Sequence, residues 1–211
     1  MEKLRDRSCA DFSALLASAA AVPGGGGAAA LTGSLAVALC AMASRLTAGR
    51  RKYADRSATL EEITARADEL RERLLTLIDE DAENFAPLAA AYSLPKSDPA
   101  YEEALRRATL RACEAPLEML RCCAAAVELL ERARMLSSPL LLSDVGCGAI
   151  AAKAALEAAA MNVFINTRSL PGDGEALLLE RKAEALLSEY MPRARKIADS
   201  VMESLRRRND G

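Results

Sequence analysis

Between residues 55 and 93 apolar side chains recur in alternating steps of three and four, at Leu60, Ile63, Ala67, Leu70, Leu74 and Leu77. That period lays all six along one stripe of an α-helix about ten turns long, and no strand puts them on one face. A stripe of that length has to be covered by elements of similar length, which are other helices. Composition agrees: 51% of the residues are apolar, largely Ala and Leu, and only 3% are aromatic. Closely packed helices suit such a chain better than a sheet core built from β-branched and aromatic residues. The expected fold is all-α.

The remaining pattern predicts a short helix over 11–21, an apolar helix that ends near Ala48 with Gly49 as its cap, and the long helix over 55–93. Further helices are expected over 99–136, with Asp98 as N-cap and Pro99 at the first helical position, from Ser143 or Asp144 as cap to 167, and over 175–208. Pro87, Pro116 and Pro192 fall inside these patterns and should kink them, freeing the carbonyls of Glu83, Ala112 and Ser188. The sum is a bundle of five main helices in a single domain over 1–211. Its apolar helix surface exceeds what one copy hides, so a homodimer is expected. Residues 28–44 are almost uncharged but fall short of the roughly 20 residues that span a bilayer, and read as a buried central helix with no membrane partner.

Twenty-eight basic and 30 acidic side chains nearly cancel, which gives no case for nucleic acid. The chain has no histidine and its six cysteines form no CxxC pair, so no metal site is expected. The N-terminal dozen residues mix charge signs without an apolar run, and the cysteines read as reduced core residues; both point to the cytoplasm.

Five features can carry chemistry, and each has a plainer explanation beside it. Pro23, Gly24, Gly25, Gly26 and Gly27 offer free backbone N–H groups at a helix N-terminus, suited to an anion or a polarised carbonyl, or else form a flexible turn. Arg50, Arg51 and Lys52 can bind an anion, or only complement a helix C-terminus. Asp81 and Asn84 continue the apolar stripe of the long helix, so a carboxylate there is either functionally poised or part of a structural polar network. Asn162 and Asn166, four apart, face a ligand or another helix. Asp144 is a helix cap or a catalytic carboxylate.

The segments PGGGGAAALTGSLAVALCAM, LTAGRRKY, LIDEDAENF, AYSLPKS, APLEML and SDVGCGAIAAKAALEAAAMNVFIN, in this order, resemble the cyclodeaminase/cyclohydrolase family over nearly the whole chain. That family comprises the C-terminal domain of formiminotransferase-cyclodeaminase and stand-alone methenyltetrahydrofolate cyclohydrolases. The resemblance implies an all-helical dimer that binds a tetrahydrofolate derivative as substrate, with no permanently bound cofactor. It implies folate contacts near residues 23–27, at Arg50, Arg51, Lys52 and Tyr53, and at Asp81, Asp144, Asn162 and Asn166. Asp81 is the first choice for proton transfer or for stabilising the cationic carbon, and Asp144 the second. Arg51 and Lys52 would hold the glutamate tail, and the glycine loop the flat rings. The 211 residues include no formiminotransferase segment, which favours the cyclohydrolase. Two departures stand out: Gly27 takes the place of a customary serine, and residues 137–140 replace a Gly-Asn turn. They motivate the alternative of a non-catalytic helical dimer that binds a folate-like or acidic ligand.

Overall fold

A computed structural model describes residues 3–206, and all regular structure among them is helical. The α-helices are α1 (Cys9–Leu16), α2 (Gly25–Ala48), α3 (Ser57–Tyr92), α4 (Tyr101–Ala112), α5 (Glu114–Leu136), α6 (Leu142–Thr167) and α7 (Gly174–Arg206). Short 3-10 turns occupy Leu4–Asp6, Arg51–Arg56 and Pro139–Leu141.

The apolar stripe of α3 is buried as its spacing requires: Leu60, Ile63, Ala67, Leu74 and Leu77 have no exposure and Leu70 only 4%. It packs on α2, the central helix, which also meets α5 and α6. The buried positions of α2 are small, including Ala29, Ala30, Gly33, Ala36 and Ala43. This lets the axes approach closely, and a Cβ at Gly33 would come within 2.9 Å of the Cys123 sulfur on α5. Gly148 on α6 is more tightly placed, since a Cβ there would meet Leu130 Cδ2 at 2.9 Å and the Ala36 carbonyl oxygen at 3.1 Å. A core built on such contacts leaves little room for aromatic rings.

Several sequence expectations need correction. The helix expected over 99–136 is two helices, divided at Cys113, so the count of five main helices is too low. Pro116 is the cause: it has no N–H for the Ala112 carbonyl four residues back, and that carbonyl accepts instead from Asn166 Nδ2 at 3.2 Å. By contrast α3 and α7 continue through Pro87 and Pro192. Helix α1 starts at Cys9, where Ser8 caps the Asp11 N–H, and stops at Leu16. Helix α4 starts at Tyr101, since Asp98 Oδ1 takes the Ala100 N–H and closes a turn rather than a cap. Neither Ser143 nor Asp144 caps α6; Asp144 sits within its first turn and meets the helix dipole. Asp173, unassigned in the sequence, accepts the Glu175 and Ala176 N–H groups and opens α7. Residues 207 and 208, expected to end α7, lie outside the described residues.

Four cysteines are buried as expected, whereas Cys9 and Cys147 are exposed, and all six are free thiols. By length and composition alone, α2 and the stretch Pro139–Thr167 would each suffice to cross a membrane. Much of each is packed inside the bundle, with 61% and 44% of the most apolar window buried.

The close approach at Gly148 makes a prediction. Alanine favours a helix interior by about 1 kcal/mol over glycine, but overpacking costs about 1–3 kcal/mol where backbone cannot yield. Gly148→Ala should therefore lower the urea midpoint, whereas Gly174→Ala, with nothing near the added Cβ, should stay within about 0.5 kcal/mol of the parent. An unchanged midpoint for Gly148→Ala would contradict the packing described.

Candidate active site

Helix α2 begins at Gly25 with Gly24 as its N-cap, so the glycines form the first helical turn instead of a loop before it. The N–H groups of this turn have no partner four residues back. They are met from the side by α3, whose Asp81 carboxylate accepts the Gly27 N–H. Glycine is required for that approach, because a Cβ at Gly26 would fall on the Asp81 carboxylate oxygens. At Gly27 a Cβ would press on Pro23 Cβ at 3.1 Å, with Ile78 and Phe12 just beyond. The side chain customary there would have to be accommodated by these neighbours, and its absence fits the local packing.

Beside this junction lies a cleft of about 290 Å³ walled by Gly24, Gly25, Gly26, Asp81, Asn162 and Asn166 together with Phe85, Leu88, Tyr92 and Ile165. Asn162 donates to the Ala158 carbonyl at 2.8 Å and keeps its amide against Gly25, where a Cβ would stand 3.2 Å from Nδ2. Asn166 holds the carbonyl freed at Ala112, so this side chain joins α6 to the α4–α5 break and also faces the cleft. The interhelical bond expected of the pair is therefore made by Asn166, whereas Asn162 bonds within α6; both side chains line the cleft. Among the lining residues Asp81 alone is formally charged. Burial pushes its carboxyl up to about 6, against the opposing pull of the Gly27 N–H. It is thus a group that can accept and return a proton near neutral pH.

Phe85, Leu88 and Tyr92 were not assigned to a site in the sequence, although they follow Asp81 at helical spacing. In a chain with three phenylalanines and four tyrosines, one of each stands in this cleft. Scarcity of aromatics was the available signal.

The other expected site residues lie elsewhere. Asn84 is outside the cleft and accepts from Arg111 Nε at 3.1 Å, a surface contact between α3 and α4. The basic turn follows the far end of α2, about 36 Å from Gly25 at 1.5 Å per residue. There Arg50 donates to Ser138 Oγ at 3.2 Å, and Tyr53 is buried with Arg56 stacked over its ring at 5.4 Å. Arg51 and Lys52 are exposed. Asp144, in the first turn of α6, is about 27 Å along that helix from Asn162. A single chain therefore brings Gly24–Gly27, Asp81, Asn162 and Asn166 together and leaves Arg50–Tyr53 and Asp144 at the opposite end. No group of three His, Cys, Asp or Glu side chains converges among the described residues.

The family model for formiminotransferase-cyclodeaminase matches residues 8–185. The chain belongs to that family. It is 35% identical to a methenyltetrahydrofolate cyclohydrolase of Methylorubrum extorquens over 82% of this chain and 86% of that protein. It is 26% identical to the formimidoyltransferase-cyclodeaminase of Sus scrofa over 82% of this chain, which is only 32% of that longer protein. The crystal structure of formiminotetrahydrofolate cyclodeaminase from Thermotoga maritima superposes with a TM-score of 0.82, covering 95% of this chain and all of that one at 25% identity.

In this family member the Asp81 junction should be visible in stability. A raised folded pKa means that the native state holds the proton more tightly than the unfolded chain. Stability is thus undiminished below about pH 4 and falls as pH rises from the ordinary aspartate value of 3.8 to about 6. The loss amounts to about 2–3 kcal/mol above that window. Asp81→Asn should therefore raise the thermal midpoint at pH 8 and leave it unchanged below pH 4. A midpoint at pH 8 lower than that of the parent would show the carboxylate to be a structural support.

Proposed function

We propose that the protein is a methenyltetrahydrofolate cyclohydrolase that works as a cytoplasmic homodimer, without metal or permanently bound cofactor. Its relatives make it a one-carbon folate enzyme. The observation that carries the finer reading is the half-buried Asp81 carboxyl, with its pKa near 6, in a cleft of free helix N–H groups and aromatic walls. Similarity to the cyclohydrolase over most of both chains favours that reaction, and the six free thiols suit the cytoplasm.

The methenyl bridge is an amidinium cation, and the flat ring that carries it fits between Phe85 and Tyr92 on one side and the Gly25–Gly26 turn on the other. Asp81, ionised above about pH 6, stabilises the cation and takes a proton from the attacking water as its oxygen bonds to the bridge carbon. The bridge becomes a neutral hydroxyl-bearing carbon between two nitrogens. Breaking one carbon–nitrogen bond then converts the hydroxyl carbon to a formyl group, and protonated Asp81 returns its proton to the leaving nitrogen. The hydroxyl proton goes to solvent, so one water is consumed and one proton released per turnover. The Gly25 and Gly26 N–H groups face the oxygen as charge gathers on it.

A second reading is formiminotetrahydrofolate cyclodeaminase, favoured by the Thermotoga maritima likeness. Here the folate nitrogen attacks the formimino carbon, ammonia leaves, and the same carboxyl shuttles the proton. Purified protein should hydrolyse methenyltetrahydrofolate to formyltetrahydrofolate well above the uncatalysed rate. Ammonia released faster from formiminotetrahydrofolate would select the cyclodeaminase, and no turnover of either would leave a folate-binding protein without catalysis.

A further inference from the structure

Helix α4 seats on α3 through an apolar cluster apart from the main core: Leu105, Ala108 and Ala112 pack on Leu88 and Ala91, with Phe85 and Tyr101 at the edge. Phe85 and Leu88 also wall the Asp81 cleft. A second hollow, a groove of about 470 Å³, opens between the same two helices. Its floor is Pro87, Ala90, Ala91 and Leu94 from α3 with Ala104 and Ala108 from α4. Helical spacing sets Pro87, Ala90 and Leu94 about 100° or more round the axis from Phe85, Leu88 and Tyr92. Groove and cleft therefore flank the shared cluster on opposite sides.

The rim of the groove is cationic. Arg107 and Arg111 both line it, and among the described residues no acid does. Side chains four apart on a helix stand about 5–6 Å apart at Cβ, a spacing that two carboxylates of one small molecule can meet. Their neighbour Arg106 is neutralised by Asp173 at 2.7 Å and Glu175 at 3.2 Å. Arg111, by contrast, donates from Nε only to the neutral Asn84 at 3.1 Å. The exposed Arg107 guanidinium has no hydrogen-bond or ion-pair partner among the described residues, although Glu103 lies one turn before it. An acceptor stands close by. Pro87 has no N–H for the carbonyl of Glu83, and Glu83 adjoins Asn84, so that carbonyl lies toward the Arg111 end of the groove.

We propose that this groove is a second ligand site, and that it takes an N-acylated amino acid with two carboxylates. The carboxylates pair with Arg107 and Arg111, each guanidinium offering a planar fork of donors. The amide N–H, next to the carbon that bears one carboxylate, reaches the Glu83 carbonyl, and the acyl group covers the alanines and Pro87. A phosphate ester brings the charge but no N–H beside it. The volume falls within the range of about 300–1,000 Å³ typical of small-molecule sites. From Ala104 to Arg111 the rim is only about 10 Å long at 1.5 Å per residue, too short for a partner protein, which needs about 20–30 residues on each side. Because the ligand bridges α3 and α4, it braces α4 and, through Phe85 and Leu88, the wall of the cleft.

The site stands without the folate reading; only its effect on the cleft rests on that reading, and the test separates them. Titration calorimetry with N-benzoylaspartate as the probe should show one site per chain. Affinity should fall at least tenfold in Arg107→Gln with Arg111→Gln, which removes both charges from exposed side chains. It should fall as far in Ala90→Leu, which fills the groove and leaves the arginines in place. Amide hydrogen exchange over residues 101–112 should slow when the probe is bound. No binding at millimolar probe, undiminished affinity in either folded variant, unchanged exchange in α4, or phenyl phosphate bound as tightly would each overturn the proposal. With the probe bound, KM for methenyltetrahydrofolate should fall at least twofold at constant kcat. An unchanged KM would overturn the coupling to the cleft, and a competitive rise in KM would put the probe in the cleft and overturn the site. Absence of turnover would count against the folate reading alone, with calorimetry and exchange still deciding whether the groove binds.

Discussion

One contact organises this molecule: the carboxylate of Asp81 on α3 resting against the glycine turn that opens α2. A helix N-terminus offers N–H donors and a positive dipole end, but side chains on its first turn ordinarily keep another helix at a distance. Gly26 removes that obstacle. The two longest contacts of the bundle, α2 with α3 and α2 with α6, then fix everything around the carboxylate. Helix α3 supplies Phe85, Leu88 and Tyr92, and α6 supplies Asn162, Ile165 and Asn166. The freed carbonyl at Ala112 ties the α4–α5 junction into the same wall through Asn166.

The same contact sets stability against chemistry. Partial burial makes the ionised carboxylate costly, and a lone N–H from Gly27 does not offset it, which leaves the carboxyl near pH 6. A buried ion pair would have stabilised the charge and lowered the pKa, at the expense of a group able to exchange protons near neutrality. The small-residue core has a parallel logic. Gly33 and Gly148 permit helix approaches that larger residues would forbid. The departure at Gly27 belongs to the same economy of space, since Pro23, Ile78 and Phe12 already surround the position.

The helical class and most of the long elements were legible in the sequence because the α3 stripe is a one-dimensional pattern, and burial from Leu60 to Leu77 followed from it. Asp81 was legible for the same reason, as a charge on a buried stripe. The break at Cys113 was not, because a proline inside a helical pattern kinks it or ends it according to what receives the freed carbonyl. At Ala112 that partner is Asn166, 54 residues away. Asn84 was misplaced with Asp81 because it shares the stripe's spacing, yet the α4 contact turns it toward Arg111. The aromatic wall and the distance from the cleft to Arg51, Lys52 and Asp144 depend on how helices stack. No local pattern encodes that.

The account's central claim is that Asp81 carries the proton in hydrolysis of a folate's one-carbon bridge. The most direct measurement is the pH dependence of kcat/KM for methenyltetrahydrofolate, corrected for the uncatalysed reaction, in wild type and in Asp81→Asn. The account predicts an acid limb in the wild type with an apparent pKa of about 6, the titration of the free enzyme's base. In Asp81→Asn that limb should vanish from a residual rate at least about a hundredfold lower, the lower range of general acid–base contributions. A folded Asp81→Asn protein that keeps both the rate and the limb near pH 6 would contradict the claim outright.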